Sequence, residues 1–242
     1  ATGQKNIFFT NNDTAYESAI SLNNKGIKVE AIVDIRENPN SEFTKGAENL
    51  GIKIYRNYTI VDTHGYKKLN KISIMELSKD GQSFANSNII TLDCDCLGMA
   101  GGWTPAVHLF TQSGGKLKFR DEDQVFIPNK YPSDQISVGS CNGDFELDEI
   151  INNTSKSLKE FFSIDQTDFD NLDVQCPKDK EIRNIWLLPS NKVLGKTKPF
   201  VDYQNDATAK DIKLALREGF KSIEHVKRYT TTGMGTDQGK LG

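Results

Sequence analysis

The chain of 242 residues contains no run of about 18 apolar residues, so no segment reads as a helix spanning a bilayer. Charge of one sign is also in short supply. Thirty lysines and arginines stand against 33 aspartates and glutamates, for a formal net charge of −3. That balance favours neither nucleic acid nor an anionic membrane as a partner. Only four cysteines occur, Cys94, Cys96, Cys141 and Cys176, with no Cys-x-x-Cys pair and no Cys/His cluster of zinc spacing. Reduced thiols in a cytoplasmic protein are the simplest reading. The polar opening residues show no signal-peptide pattern, and none is expected. The opening strand also lacks a Gly-x-Gly-x-x-Gly turn.

What is present begins with a βαβαβ pattern. Asn6 to Thr10 is a short apolar run between polar residues, which suits a buried parallel strand. Asn11-Asn12-Asp13 turns the chain, and Thr14-x-x-Glu17 offers a capping box for a helix ending near Gly26. Val29 to Asp34 reads as a second strand, Ser41 to Leu50 as a helix closed by Gly51, and Ile52 to Arg56 as a third strand. In outline this is a nucleotide-binding half-unit, with Asp34 where such units carry an acid for the ribose hydroxyl. Yet the turn from Thr10 to Thr14 has no glycine to admit a pyrophosphate. Asp13 also places a negative charge at the helix start that should receive an anion. The expectation is a retained framework whose phosphate site is lost.

Tyr58 to Asp62, Lys68 to Ser78 and Phe84 to Cys96 read as antiparallel strands, with turns at His64-Gly65 and Lys79 to Gln82. Cys94 and Cys96 would face the same way on the last strand, where a mutual disulfide is disfavoured. Ala106 to Gln112 has helical character after Pro105, and Lys116 to Phe119 and Val125 to Pro128 supply short strands. Asp148 to Phe162 is an amphipathic helix with Ile150, Ile151, Leu158 and Phe161 available for a buried face. Ser163 to Lys198 reads as a connector. Thr208-x-x-Asp211 and Ser222 then start two final helices. His64 reads as an exposed turn residue and His108 as packed or capping, neither as a proton shuttle.

The organising stretch is Thr91 to Asp144, where apolar strands twice run into glycines. In an open α/β sheet, ligands bind outside the carboxyl ends of such strands, and glycine lets the backbone approach a phosphate or ring. Gly101, Gly102 and Pro105 at the first turn, and Gly139, Ser140, Cys141, Gly143 and Asp144 at the second, are the candidate cofactor-binding residues. Backbone N–H groups ahead of the following helix offer a hold for a phosphate or a ring edge, and Asp144 one for a ribose or ribitol hydroxyl. An ordinary turn with a helix cap stands beside that reading.

The order of these segments resembles the two-dinucleotide-domain flavoprotein family related to the disulfide reductases. Gly102-Trp-Thr-Pro105 looks like its return strand, and Gly139 to Asp144 like a modified late Gly-Asp turn. More narrowly, Met99 to Leu117, Phe200 to Ile212 and Glu224 to Lys240 are similar to the alpha subunit of heterotetrameric sarcosine oxidase. The resemblance implies an α/β fold: a partial two-dinucleotide-binding-domain (FAD/NAD(P)-binding, disulfide-reductase-like) architecture with a small C-terminal helical module. Residues 1–95 would form an inserted βαβαβ domain with an antiparallel meander, 96–162 the return segment of the first dinucleotide domain, and 163–242 a connector plus the helical module. An internal piece of a longer subunit is expected.

The resemblance further implies oxidative demethylation of sarcosine to glycine, yielding hydrogen peroxide, with the one-carbon unit leaving as formaldehyde or 5,10-methylenetetrahydrofolate. The amine would be oxidised at FAD in the beta subunit, with FMN at the alpha–beta junction, NAD in alpha, and gamma and delta subunits completing the assembly. Tetrahydrofolate is a possible further cofactor. Related flavoproteins place the cysteines of a two-iron cluster in the C-terminal module. Here Asp202 and Gln204 stand in its opening stretch and no cysteine follows Cys176, so no cluster is expected. No catalytic residue and no metal ligand is assigned to this segment. Two alternatives stay open: a stand-alone NAD(P)H- or flavin-dependent oxidoreductase, and a non-catalytic scaffold subunit.

Overall fold

The computed structural model describes residues 3–132, 134–170, 172–176, 182–192 and 194–236. It divides into two compact units, one of residues 1–76 with 87–184, the other of residues 77–86 with 185–242. No helix among the described residues is long and apolar enough to cross a membrane.

The first unit is built on a four-stranded parallel sheet. In chain order β1 (Asn6–Thr10), α1 (Thr14–Asn24), β2 (Val29–Asp34), α2 (Glu42–Asn49) and β3 (Lys53–Arg56) form the expected βαβαβ run. The antiparallel meander β4 (Tyr58–His64), β5 (Lys71–Glu76) and β6 (Ile90–Asp93) follows, and β7 (Cys96–Ala100) then returns to the first sheet. The order β3-β2-β1-β7 puts β1 at a switch point, with β2 on one side and β7 on the other. The sheet thus takes strands from either side of residue 95.

Local chemistry accounts for these elements. β1 and β2 are covered on both faces, which is why they read as continuous rather than alternating apolar runs. Tyr16, Ala19, Val29, Ile32, Ala47 and Ile52 form the core between sheet and helices, joined by Phe8, Ile20 and Phe43. Phe8 lies opposite Gly98 of β7, where an added Cβ would stand 2.9 Å from the ring. Glycine there is a packing requirement. At α2 the Ser41–Thr44 capping box forms. At α1 the Thr14–Glu17 box does not. The N-cap is Asp13, and Thr14 instead donates from N (3.0 Å) and Oγ1 (2.6 Å) to Asn12 Oδ1.

The expected strand from Phe84 to Cys96 is also corrected. β6 stops at Asp93 and β7 begins at Cys96 in a different sheet. Between them Asp95 accepts hydrogen bonds from Gln4 N (3.0 Å) and Lys5 N (2.7 Å), fixing the start of β1. Cys94 is fully buried beside it, and its Sγ donates to Cys96 O at 3.3 Å. The two thiols therefore do not share one strand face.

Beyond β7 come α3 (His108–Gln112), the hairpin β8 (Lys116–Arg120) and β9 (Val125–Lys130), a 3-10 turn (Gly139–Asn142) and α4 (Leu147–Phe162). Phe110 of α3 is buried, and Gly115 leaves room for its ring. The apolar face expected on α4 is only partly covered: Ser155 is its one buried residue, and Phe161 is exposed.

The second unit holds α5 (Leu194–Thr197), the short pair β10 (Phe200–Asp202) and β11 (Ala207–Thr208), α6 (Ala209–Arg217) and α7 (Ile223–Thr230). Asp211 accepts from Thr208 N (2.8 Å) and Oγ1 (2.7 Å) at the start of α6, and Ser222 precedes α7, as expected. Residues 77–86 include a small turn. Ser78 donates from Oγ to Ser83 O (2.9 Å), and Leu77 bridges Phe84.

The most heavily constrained point of the first unit is a buried ion cluster at the carboxyl ends of β1 and β2. Arg36 donates through Nη2 to Asp13 Oδ1 (2.6 Å) and Asp34 Oδ2 (2.8 Å), and through N to Asp34 Oδ1 (2.8 Å). Tyr16 OH donates to Asp34 Oδ2 at 2.8 Å. All four residues are buried. Burial, reinforced by the Asp34 charge, pushes the Tyr16 phenol far above its ordinary range. Burial alone would lower the Arg36 guanidinium, but its bonds to Asp34 and Asp13 outweigh that and hold it raised. Removing one member strands buried charge, whereas the exposed Arg56–Glu48 pair is solvated on both sides. Arg36→Leu is therefore expected to lower unfolding free energy by about 3–5 kcal/mol, and Arg56→Leu by about 0–1 kcal/mol, in urea titrations followed by circular dichroism.

Candidate functional site

β1 and β7 end side by side, and the crevice outside their carboxyl ends is the switch point at which open α/β sheets hold ligands. A cleft of about 900 Å³ occupies that place. Its walls come from the turn after β1 (Asn12, Asp13, Thr14), the turn after β7 (Gly102, Trp103, Thr104), the β8–β9 hairpin and the start of α4. The volume falls in the range of small-molecule sites, about 300–1,000 Å³.

The two glycine turns singled out in the sequence meet here. Gly102, Ser140, Gly143 and Asp144 line the cleft; Gly101, Pro105, Gly139 and Cys141 are not among its lining residues. Gly102 has φ +99°, a conformation side chains rarely adopt, and the turn it makes is held by Asn11, whose Nδ2 donates to Gly101 O at 3.3 Å. Gly143 has φ +89°, and a Cβ there would come within 2.8 Å of Ile127 Cγ2. Its carbonyl accepts from Arg120 Nη2 at 2.8 Å, and Arg120 is also paired in bidentate fashion with Asp123. That pairing raises the Arg120 guanidinium above its ordinary value. Cys141 Sγ donates to Val138 O at 3.0 Å, behind the turn. Pro105 is buried.

Asp144 is nearly buried and accepts from Asn153 Nδ2 at 2.9 Å and from Asn142 Nδ2 at 3.4 Å. It ties the 3-10 turn to α4. The N–H groups available around it are few, since Gly143 N and Asp144 N donate to Ser140 O and Gly139 O within the turn.

Electrostatics decide what such a cleft can accept. Seven carboxylates line it: Asp13 and Glu17 of α1, Glu122 and Asp123 of the hairpin, and Asp144, Glu146 and Glu149 near the start of α4. Arg120 is the one cation among the described lining residues, and even with Asp13 matched by Arg36 behind the wall the lining keeps a clear excess of negative charge. The helix starts that would attract an anion are acidic, with Glu17 in the first turn of α1 and Asp148 and Glu149 in that of α4. A phosphate is disfavoured against these walls; a neutral ring, a hydroxyl or a cation is not. Trp103, 64% exposed, offers the cleft an aromatic face. Sequence reasoning passed over Arg36, Arg120 and Trp103. Arg36 was discoverable, since an Asp-Ile-Arg run ending a buried strand asks where its charges go.

The histidines do not enter the cleft. His64 is exposed at the end of β4, with Nε2 2.8 Å from Ser73 Oγ, and His108 is exposed on α3 rather than packed. Among the described residues, no group of three or more His, Cys, Asp or Glu is arranged to hold a metal ion.

In the second unit, Asp202 ends β10, in the opening stretch of the C-terminal module. It is a hydrogen-bond hub. Its carboxylate accepts from Gln204 N (2.8 Å), Asn205 N (3.1 Å), Asn205 Nδ2 (3.0 Å) and, 31 residues on, Gly233 N (2.7 Å). Gln204 Oε1 accepts from Thr236 Oγ1 at 3.1 Å, a second tie between the same loops. Of the Glu224 to Lys240 block, residues 237–240 lie outside the described residues. The bonds from Asn205 and the Gly233 amide hold the Asp202 carboxyl down at about 2.

Comparison with known proteins extends these findings. Residues 196–242 match the family model of the sarcosine oxidase A3 domain. All of the chain is similar to the sarcosine oxidase subunit alpha of Rhizobium meliloti (strain 1021), 32% identical over 253 aligned residues, and spans 23% of that protein. Against sarcosine oxidase subunit alpha of Corynebacterium sp. (strain P-1), identity is 28% over 98% of this chain and 25% of the relative. The chain therefore spans about a quarter of the length of the curated relatives it matches. Among solved structures, L-proline dehydrogenase from P. horikoshii superposes with a TM-score of 0.54 at 18% identity, covering 98% of this chain and 42% of that one. The α/β fold class read from the sequence is the one observed, and the likeness first drawn from three blocks runs the full length.

Asp202 gives a pH expectation. Its folded value lies below the ordinary value of about 3.9, so its contribution is complete above about pH 4 and is lost as pH falls through about 2. Circular dichroism between pH 5 and about 2 should show helix loss that Asp202→Asn, already weakened at neutral pH, shows far less steeply.

Proposed function

We propose that this chain is the part of a sarcosine oxidase alpha-type subunit that frames a redox coenzyme, in an assembly that oxidatively demethylates sarcosine to glycine. What supports the reading is one observation: the cleft at the β1/β7 switch point brings together both glycine turns, in a chain similar along its whole length to sarcosine oxidase alpha subunits. Residues 1–95 would then serve as the inserted nucleotide-like part, 96–162 as the return segment carrying Gly102, Ser140, Gly143 and Asp144, and 163–242 as connector and helical module.

The chemistry of the wall narrows what the cleft holds. A flavin or nicotinamide ring against Trp103 and the glycine backbone fits, with its phosphates directed away from the seven carboxylates. When bound, such a coenzyme supplies the electron transfer; the residues here bind, orient and exclude water. Asp144, already engaged by Asn153 and Asn142, fixes the turn rather than abstracting a proton. Amine oxidation is assigned to a partner beta subunit, with gamma and delta subunits completing the complex. FMN, NAD and folate are the cofactors this reading places in the assembly as a whole. A cytoplasmic location goes with it.

The test is retention of coenzyme. Co-expressed with its partner subunits, the chain should purify with flavin absorbance and releasable nicotinamide. Thr104→Trp, which fills the cleft from an exposed position, should cut retained coenzyme at least about tenfold, or about 1.4 kcal/mol, with an unchanged far-ultraviolet spectrum. Unaltered coenzyme content in that variant would remove the cleft from consideration.

A further inference from the structure

We infer that the β2 side of the switch-point crevice is closed by the chain itself, so that no dinucleotide seats its adenosine half on this unit. In a working dinucleotide fold the acid ending β2 accepts the adenine-ribose hydroxyls, and the helix after β1 receives the pyrophosphate. Here both places are taken from within and from without.

From within, Asp34 has no acceptor capacity left. A carboxylate offers about four lone-pair positions. Asp34 receives Tyr16 OH, Arg36 N, Arg36 Nη2 and, at 3.1 Å to each oxygen, Arg36 Nε. The start of α1 carries the Asp13 carboxylate, bonded to the same guanidinium. A ribose could reach Asp34 only by displacing Arg36, which would break the bonds of a buried ion cluster and leave the guanidinium with Asp13 alone. Asp13 thus stands where a phosphate would, as a covalently attached anion already matched to an internal cation.

From without, a distant segment lies across the strand ends. Arg183 Nη1 donates to Ile35 O (2.6 Å), one residue past β2, and to Asn57 Oδ1 (2.7 Å), one residue past β3. Its neighbour Asn184 accepts from Asn11 Nδ2 (3.3 Å), one residue past β1. Arg183 and Asn184 therefore strap the ends of three parallel strands, the surface over which an adenosine would extend. A family-implied NAD does not fit this half of the unit. The inference goes beyond the proposed coenzyme cleft, which lies on the β7 side and stands or falls separately.

The experiment compares NAD⁺, ADP-ribose and nicotinamide mononucleotide by calorimetric titration into the full chain, with amide shifts recorded for each. Closure predicts that the adenosine half adds nothing. NAD⁺ and the mononucleotide should bind within about threefold of each other or not at all, ADP-ribose should not bind, and Ile35, Arg36, Asn57 and Arg183 amides should stay put. NAD⁺ binding more than tenfold tighter than the mononucleotide, with shifts at those four amides, would overturn it. Asp34→Asn gives a second reading: affinity unchanged supports closure, and loss of the NAD⁺ preference overturns it. Should that variant unfold, the amide shifts of the native chain still decide. Thr104→Trp separates the two proposals, since it probes the β7-side cleft and leaves these four amides alone.

Discussion

The arrangement at the carboxyl ends of the central strands depends on one buried cation. Arg36 is held between Asp34 and Asp13 and is almost inaccessible to water, with Tyr16 sharing the Asp34 carboxylate. Three charges in such a place are tolerable only because every one is bonded. The cluster fixes the β1–α1 turn against the end of β2, and that turn is one wall of the cleft. The acid that ends β2, which a nucleotide-binding unit leaves open to solvent, is here part of the core and engaged by internal pairing.

How far this was legible in the sequence follows from the range of the forces involved. β1, β2, α1 and α2 were readable because apolar runs and glycine stops are local, and burial on both faces of β1 and β2 matches their unbroken apolar character. The cap of α6 was readable for the same reason. The break between β6 and β7 was not, because the run from Phe84 to Cys96 gives no local sign of it. What ends β6 is Asp95 binding the amides of Gln4 and Lys5, some 90 residues away. The Thr14–Glu17 pattern was a legible cap that lost to Asn12, two residues before it. Phe161 had the right spacing for a buried face, but spacing says nothing about whether a neighbour arrives to cover it.

The cleft divides in the same way. Its glycines were found from the sequence, since positive φ at the end of a strand leaves a residue-level mark. Its polarity was not found, because the seven carboxylates come from three stretches of chain that look unremarkable one at a time. Summed on one wall, they reverse the expectation of a phosphate hold at the start of α4. The glycine turns and the acidic wall together make a cleft that favours a neutral ring over a phosphate.

The second unit carries a further implication for how the polypeptide is made. Its segment 77–86 leaves the ribosome roughly 100 residues before residue 185, where the remainder of that unit begins. At about 5–20 residues per second the early piece waits on the order of 5–20 s for its companions. Ser78 and Ser83 bond to each other within that early piece, so the partners of its bend are both synthesised long before the helices of the tail.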